Sequence, residues 1–204
     1  MPSTWKQLRS ERINRRFFDW RRELGAGKPY FALLWYIDPH TPFRYDAEAA
    51  DWAGLDAAET GTWRPAVLDA NADETLRHET RRRYDAAVRS VDTSLAELVA
   101  FLREAGDWDD ALFLFTSDHG ESMWEHGRYG HNYGLYQDLN HVPLVARFPS
   151  PLRFPAIHAG GRRVSTIVSS VDLLPTTLAW LDVPRDPRLQ GRSFLRRMDE
   201  PGTA

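Results

Sequence analysis

The 204-residue sequence predicts an α/β fold: three layers, αβα, around a mostly parallel sheet. Two observations carry this. Short continuous apolar runs, of the kind buried on both faces of a parallel sheet, alternate along the chain with amphipathic helical stretches. Two of those runs empty into polar loops bearing His and Asp, as strands do at the ligand-binding edge of such sheets. No internal repeat, low-complexity tract or linker divides the chain, so residues 1–204 read as a single domain.

The elements follow in order. From Thr4 to Leu24 the chain is polar and Arg-rich, with Ile13, Phe17, Trp20 and Leu24 at helical spacing. A helix is expected there, stopped by Gly25-Ala26-Gly27. Tyr30 to Ile37 is a continuous apolar and aromatic run, the pattern of a strand covered on both faces, and Pro39 and Pro42 force the loop after it. Arg44 to Arg77 reads as a surface excursion with short helical pieces. Val88, Val91, Leu95, Leu98 and Leu102 mark a helix that Gly106 ends, with Asp92 expected to be buried and hydrogen-bonded on it. Ala111 to Thr116 is a second strand, His141 to Phe148 a third and Val164 to Val168 a fourth. Asp172 to Leu181 is a helix, with Asp172 or Ser170 as its cap.

Composition narrows the function. The net charge of -3 gives no basic field for nucleic acid or an anionic membrane. The absence of Cys excludes disulfides, thiolate metal sites and a Cys nucleophile. Met1 to Ser10 has no apolar core of a secretory signal, and Phe31 to Ile37 falls far short of the roughly 20 residues of a membrane span. The chain as given therefore reads as soluble and cytoplasmic.

The polar strand exits supply the chemistry. The first delivers His40; the second delivers Asp118 and His119, with Glu121, His126 and His131 in the loop behind. Asp118-His119 offers one carboxylate oxygen and one imidazole nitrogen to a divalent cation. A lone D-H-G triplet is equally an Asp that caps the following turn beside a hydrogen-bonded His. His126 and His141 read as structural, and His78 and His158 carry no signal.

The wider pattern is more specific. Leu112 to Glu121 (LFLFTSDHGE) is followed by Glu125-His126-Gly127, Gly130-His131, Leu135-Tyr136 and His141-Val142-Pro143-Leu144. In order and spacing this resembles the sulfatase family of the alkaline phosphatase superfamily. Tyr30 to Phe43 is similar to that family's strand ending in P-H-x-P. Tyr84 to Leu102 is similar to its long helix, and Ser169 to Pro175 and Gly191 to Phe194 to its closing segments. The likeness runs from about Lys28 to Leu195, and Trp124 stands where the family pattern has Gly.

The resemblance implies an alkaline phosphatase-like domain that is incomplete, containing the C-terminal part alone. It implies that Asp118 and His119 bind one divalent metal, calcium first and manganese or zinc as alternatives. It implies that His40 contacts substrate and assists the leaving alkoxide, and that His131, where many members have Lys, holds sulfate oxygens. The family's nucleophile motif, [CS]-x-P-x-R, and its first Asp pair are not found in this sequence. The expected function is metal-dependent hydrolysis of a small-molecule or carbohydrate sulfate ester, with the nucleophile supplied by a missing N-terminal segment or a partner chain. The alternatives are a phosphoester or phosphonate hydrolase or phosphotransferase of the same superfamily, and a non-catalytic binding or assembly module.

Overall fold

The computed structural model describes residues 9–59, 61–149, 161 and 163–195. The chain forms two compact units: Met1–Asp107 with His119–His141, and Trp108–Asp118 with Val142–Ala204. No described helix is long and apolar enough to cross a membrane.

In the first unit, α1 (Ser10–Leu24) lies against α3 (Glu74–Glu104). Small polar side chains make the approach close: Asn14 donates to the Ser94 carbonyl at 2.7 Å, and the hydroxyl of Ser94 to that of Ser10 at 2.8 Å. Farther along, Phe18 stacks on Phe101 with ring centroids 4.1 Å apart. Asp73 caps α3 by accepting from the Leu76 N–H, and Gly106, at φ 74°, follows its end. The buried face of α3 runs through Ala86, Ala87, Ser90, Val91, Ser94, Leu98 and Leu102. Val88 is 42% exposed, and Asp92, expected to be buried, is exposed and pairs with Arg89 at 3.1 Å. The helix thus packs through its small residues, whose lack of bulk lets neighbours close in.

The Arg44 to Arg77 excursion is more ordered than its sequence predicts. It holds β1 (Phe43–Tyr45), α2 (Ala47–Trp52), a 3-10 turn (Ala57–Glu59) and β2 (Gly61–Trp63). The strands pair antiparallel with Phe43 opposite Trp63. Phe43, Tyr45, Ala49, Ala50, Ala86, Ala87, Met123, Trp124 and Tyr129 form the core of the unit. Arg44 is buried in β1, and its guanidinium has no hydrogen-bond partner among the described residues.

Tyr30 to Ile37 departs from expectation. It pairs with no strand among the described residues. One side is anchored: the hydroxyl of Tyr30 donates to Asp107 at 2.8 Å and that of Tyr36 to Asn14 at 2.5 Å. The other side shows Phe31, Leu33 and Trp35, exposed by 84%, 77% and 63%. Burial on both faces is therefore absent.

In the second unit, β3 (Phe113–Thr116) pairs with β6 (Leu144–Arg147). The pair is antiparallel, Phe113 opposite Arg147 and Thr116 opposite Leu144. Every strand pair among the described residues is antiparallel, where a mostly parallel sheet was expected. Val164 to Val168 is not a strand, and Ile167 is 91% exposed. A 3-10 turn (Ser170–Asp172) leads into α5 (Leu173–Trp180), with Ser169 and Asp172 forming a capping box. Phe148, Phe194 and Leu195 form the core here. The α/β class holds; the elements are helices with small two-stranded sheets.

Candidate active site

Within the first unit, the loop after His119 folds back on itself. β4 (Ser122–Met123) and β5 (Tyr129–Gly130) pair antiparallel, and α4 (Gln137–Asn140) closes the loop. Two backbone features hold this path. Gly120 donates its N–H to the Leu139 carbonyl at 2.8 Å, so close that a Cβ on Gly120 would sit 2.0 Å from the carbonyl oxygen of Asp138. Trp124 adopts φ 69°, the left-handed region that favours Gly, while its ring is buried in the core. The position where the family pattern has Gly is thus one whose backbone suits Gly.

The loop gathers three imidazoles. His119 and His131 lie with ring centroids 4.1 Å apart, and His40 lies 5.4 Å from His131. Each ring is anchored through Nδ1. That of His40 is 2.6 Å from the Thr41 carbonyl, that of His119 is 2.8 Å from the Gly120 carbonyl, and that of His131 is 2.9 Å from Oε1 of Glu121. Carbonyls and carboxylates only accept, so each Nδ1 carries the hydrogen, and each neutral ring has its lone pair on Nε2. In the neutral rings of His40 and His131 the anchored Nδ1 thus leaves the lone pair on Nε2, a nitrogen that accepts a proton or, once protonated, donates to an anion.

Glu121 was not singled out as a site residue in the sequence, although it follows D-H-G directly. Its side chain is only 7% exposed, and its charge faces Tyr84 and Tyr129. Burial, reinforced by that charge, pushes the Tyr84 phenol up. Burial does the same to Tyr129, whose hydroxyl is bonded to that of Thr41, the neighbour of His40. His126 stands apart, with its ring 3.6 Å from that of Tyr136 and Nε2 3.3 Å from Asp138, which is a structural role. His141 ends α4, rather than beginning a strand, and is exposed. His158 lies outside the described residues.

Asp118 is exposed at the exit of β3 and belongs to the second unit; His119 is its chain neighbour in the first. Among the described residues, no group of three or more His, Asp or Glu has the geometry of a metal site. Asp118 and His119 are two donors, fewer than the 6–8 oxygens that calcium takes or the tetrahedral set of zinc. The residues present do not make a metal site by themselves.

The elements make this an α/β protein, and sequence similarity places it in the alkaline phosphatase superfamily. The sequence model of the Sulfatase family matches residues 10–183, and the chain belongs to that family. It is 30% identical over 200 residues to the multifunctional alkaline phosphatase superfamily protein PehA of Trinickia caryophylli, covering 83% of this chain and 37% of PehA. It is 28% identical over 163 residues to the N-acetylglucosamine-6-O-sulfatase of Bacteroides thetaiotaomicron, covering 78% of this chain and 28% of that protein. In fold it is similar to the phosphonate monoester hydrolase of Agrobacterium radiobacter, with a TM-score of 0.72 and 24% identity over 96% of this chain and 44% of the other. The chain spans less than half the length of each.

Proposed function

We propose that this chain carries the leaving-group side of a hydrolase that cleaves sulfate esters of small molecules or carbohydrates, and that the nucleophile comes from polypeptide outside these 204 residues. The observation that supports it best is the cluster of His40, His119 and His131, each fixed at Nδ1. Preorganised nitrogen atoms of this kind stabilise charge as an ester bond breaks, without having to reorient. In this reading the imidazolium form of His40 gives its Nε2 proton to the departing alkoxide, and the imidazolium form of His131, steadied at Nδ1 by Glu121, donates from Nε2 to the non-bridging oxygens. Asp118 and His119 contribute two ligands to a divalent cation, calcium first, whose other ligands lie elsewhere. A parallel sheet in three layers is completed only when the remaining polypeptide adds its strands, and the unpaired run at Phe31 to Trp35 favours this.

A second reading, phosphoester or phosphonate hydrolysis, is favoured by the likeness to PehA and to the phosphonate monoester hydrolase, and a dependence on manganese or zinc rather than calcium would favour it further. A non-catalytic module is the third; it predicts indifference to anions and metals.

The test titrates the purified chain with sulfate, then with phosphate, and follows the imidazoles of His40 and His131 by NMR. Sulfate-dependent shifts that Asp118→Asn leaves in place and His131→Ala removes support the reading. Shifts with phosphate alone favour the second. No response to either anion, with the fold intact, removes both.

A further inference from the structure

We propose that Tyr129 is a positioning residue: through one hydroxyl it holds the loop of His40 against the strand that delivers His131, and so sets the separation of the two rings. Tyr129 lies in β5, two residues before His131, and is only 9% exposed. Its hydroxyl is hydrogen-bonded to that of Thr41, 88 positions away in the chain. Thr41 is also the residue whose carbonyl fixes Nδ1 of His40 at 2.6 Å. A short chain of contacts thus runs from one imidazole to the other, whose ring centroids lie 5.4 Å apart.

Both ends of this strut are held. The main chain of Tyr129 pairs with Met123 across β4 and β5, and its N–H donates to the Leu68 carbonyl at 2.9 Å. β4 begins directly after Glu121, the carboxylate that anchors His131. In the core the Tyr129 ring lies 5.1 Å from that of Trp124 and 6.5 Å from that of Phe43, centroid to centroid. Phe43 is two residues beyond Thr41, so ring and hydroxyl act on the same segment. Burial, reinforced by the charge of Glu121, pushes the phenol up, and the hydroxyl keeps its hydrogen at neutral pH.

Phe would serve the packing alone. The hydroxyl adds a polar handle at the end of a rigid ring, and Thr41 answers it with a group that donates or accepts. His40 itself is exposed, so its place depends on what its neighbours are tied to. Two groups that act on one ester must keep their spacing, since a misplacement of about 1 Å costs about a hundredfold in rate. That consequence rests on the ester-hydrolase reading, whereas the geometry does not.

The experiment measures nuclear Overhauser contacts between the imidazole rings of the isotope-labelled full chain. In the natural protein His131 should show contacts to both His40 and His119, the latter 4.1 Å away between centroids. Tyr129→Phe and Thr41→Val each remove the hydroxyl pair. Each should weaken the His40 contact severalfold and leave the His119 contact as it is. Thr41→Ser keeps a hydroxyl and should preserve both contacts. The double variant Tyr129→Phe with Thr41→Val should lose no more than either single one, because the same bond is broken in each. A His40 contact of natural strength in Tyr129→Phe, additive losses in the double variant, or loss of the His119 contact together with that of His40 overturns the proposal. Thr41 is half-buried, so Thr41→Val decides the matter where Tyr129→Phe impairs folding. Inorganic sulfate separates the two ideas. Sulfate binding about fivefold weaker in Tyr129→Phe, the worth of one hydrogen bond, supports both. Ring contacts that change as expected, with no sulfate response in the natural protein, keep Tyr129 in this role and remove the ester reading. A sulfate response with ring contacts unchanged in the variants removes the positioning role alone.

Discussion

Nδ1 of His131 lies 2.9 Å from Oε1 of Glu121, a carboxylate only 7% exposed, and this contact decides which nitrogen of His131 faces the site. Glu121→Gln keeps an acceptor for the Nδ1 hydrogen. Glu121→Ala removes it and leaves a half-buried N–H without a partner, a loss of about 1–3 kcal/mol. Histidine-selective nitrogen NMR of the neutral ring should find the Nδ1–H tautomer of His131 in the natural protein and in Glu121→Gln, and a mixture in Glu121→Ala. The same tautomer in all three would mean that Glu121 does not position the ring.

Gly120 sets a second expectation. Its Cβ would meet the Asp138 carbonyl oxygen at 2.0 Å, and a backbone atom cannot swing aside as a side chain does. Gly120→Ala should therefore cost about 3 kcal/mol or more, at the upper end of overpacking penalties, read as a lower urea midpoint with an unchanged slope. A loss under about 1 kcal/mol would show that α4 yields easily. Gly106, with open space around its Cβ position, is the control for crowding, although its positive φ carries its own strain.

The grouping of His40, His119 and His131 is more legible in the sequence than the pairing of the strands. D-H-G-E is a contiguous run whose spacing survives in one dimension, and His40 is flagged by the prolines beside it. Sheet pairing is not local. Nothing in Ala111 to Thr116 or His141 to Phe148 says that Phe113 faces Arg147 in an antiparallel pair. Large apolar residues mark a helix face in a sequence; Ala86, Ala87, Ser90 and Ser94, the small residues through which α3 also packs, carry no such mark. The hairpin of β1 and β2 was missed because its strands are three residues each and no tight-turn signature joins them. Glu121 was missed because only folding reveals that it reaches back to His131, ten positions on.

Acid should act through Asp107. Both its oxygens accept from Arg21 at 2.6 Å, and one also accepts from Tyr30 at 2.8 Å. The guanidinium holds this carboxyl below its usual range, and burial beside it pushes the Tyr30 phenol up to about 12. A carboxyl depressed in the folded state adds stability above its unfolded pKa, near 3.9, and loses it as pH falls through the folded value. Asp107→Asn should be less stable than the natural protein at pH 7, and the gap should close progressively below about pH 4 in urea titrations. A gap that persists at the lowest pH would assign the effect to packing.

Phe31, Leu33 and Trp35 stand exposed along one side of a segment whose other side is tied to α1 and Asp107 through Tyr36 and Tyr30. Three large apolar side chains in alternation, on backbone that pairs with no strand among the described residues, make a surface that water solvates poorly and that another strand or layer can cover. Burying each is worth about 1.5–3 kcal/mol, so association that covers all of them has a driving force of several kcal/mol before its entropic cost. The purified chain should therefore self-associate with rising concentration in analytical ultracentrifugation. Leu33→Lys with Trp35→Thr should shift it toward monomer without lowering the unfolding midpoint, because neither side chain is buried in the monomer. Self-association that is unchanged in the double variant would place the contact elsewhere, and a lowered midpoint would mean that this side of the segment is covered within the folded chain.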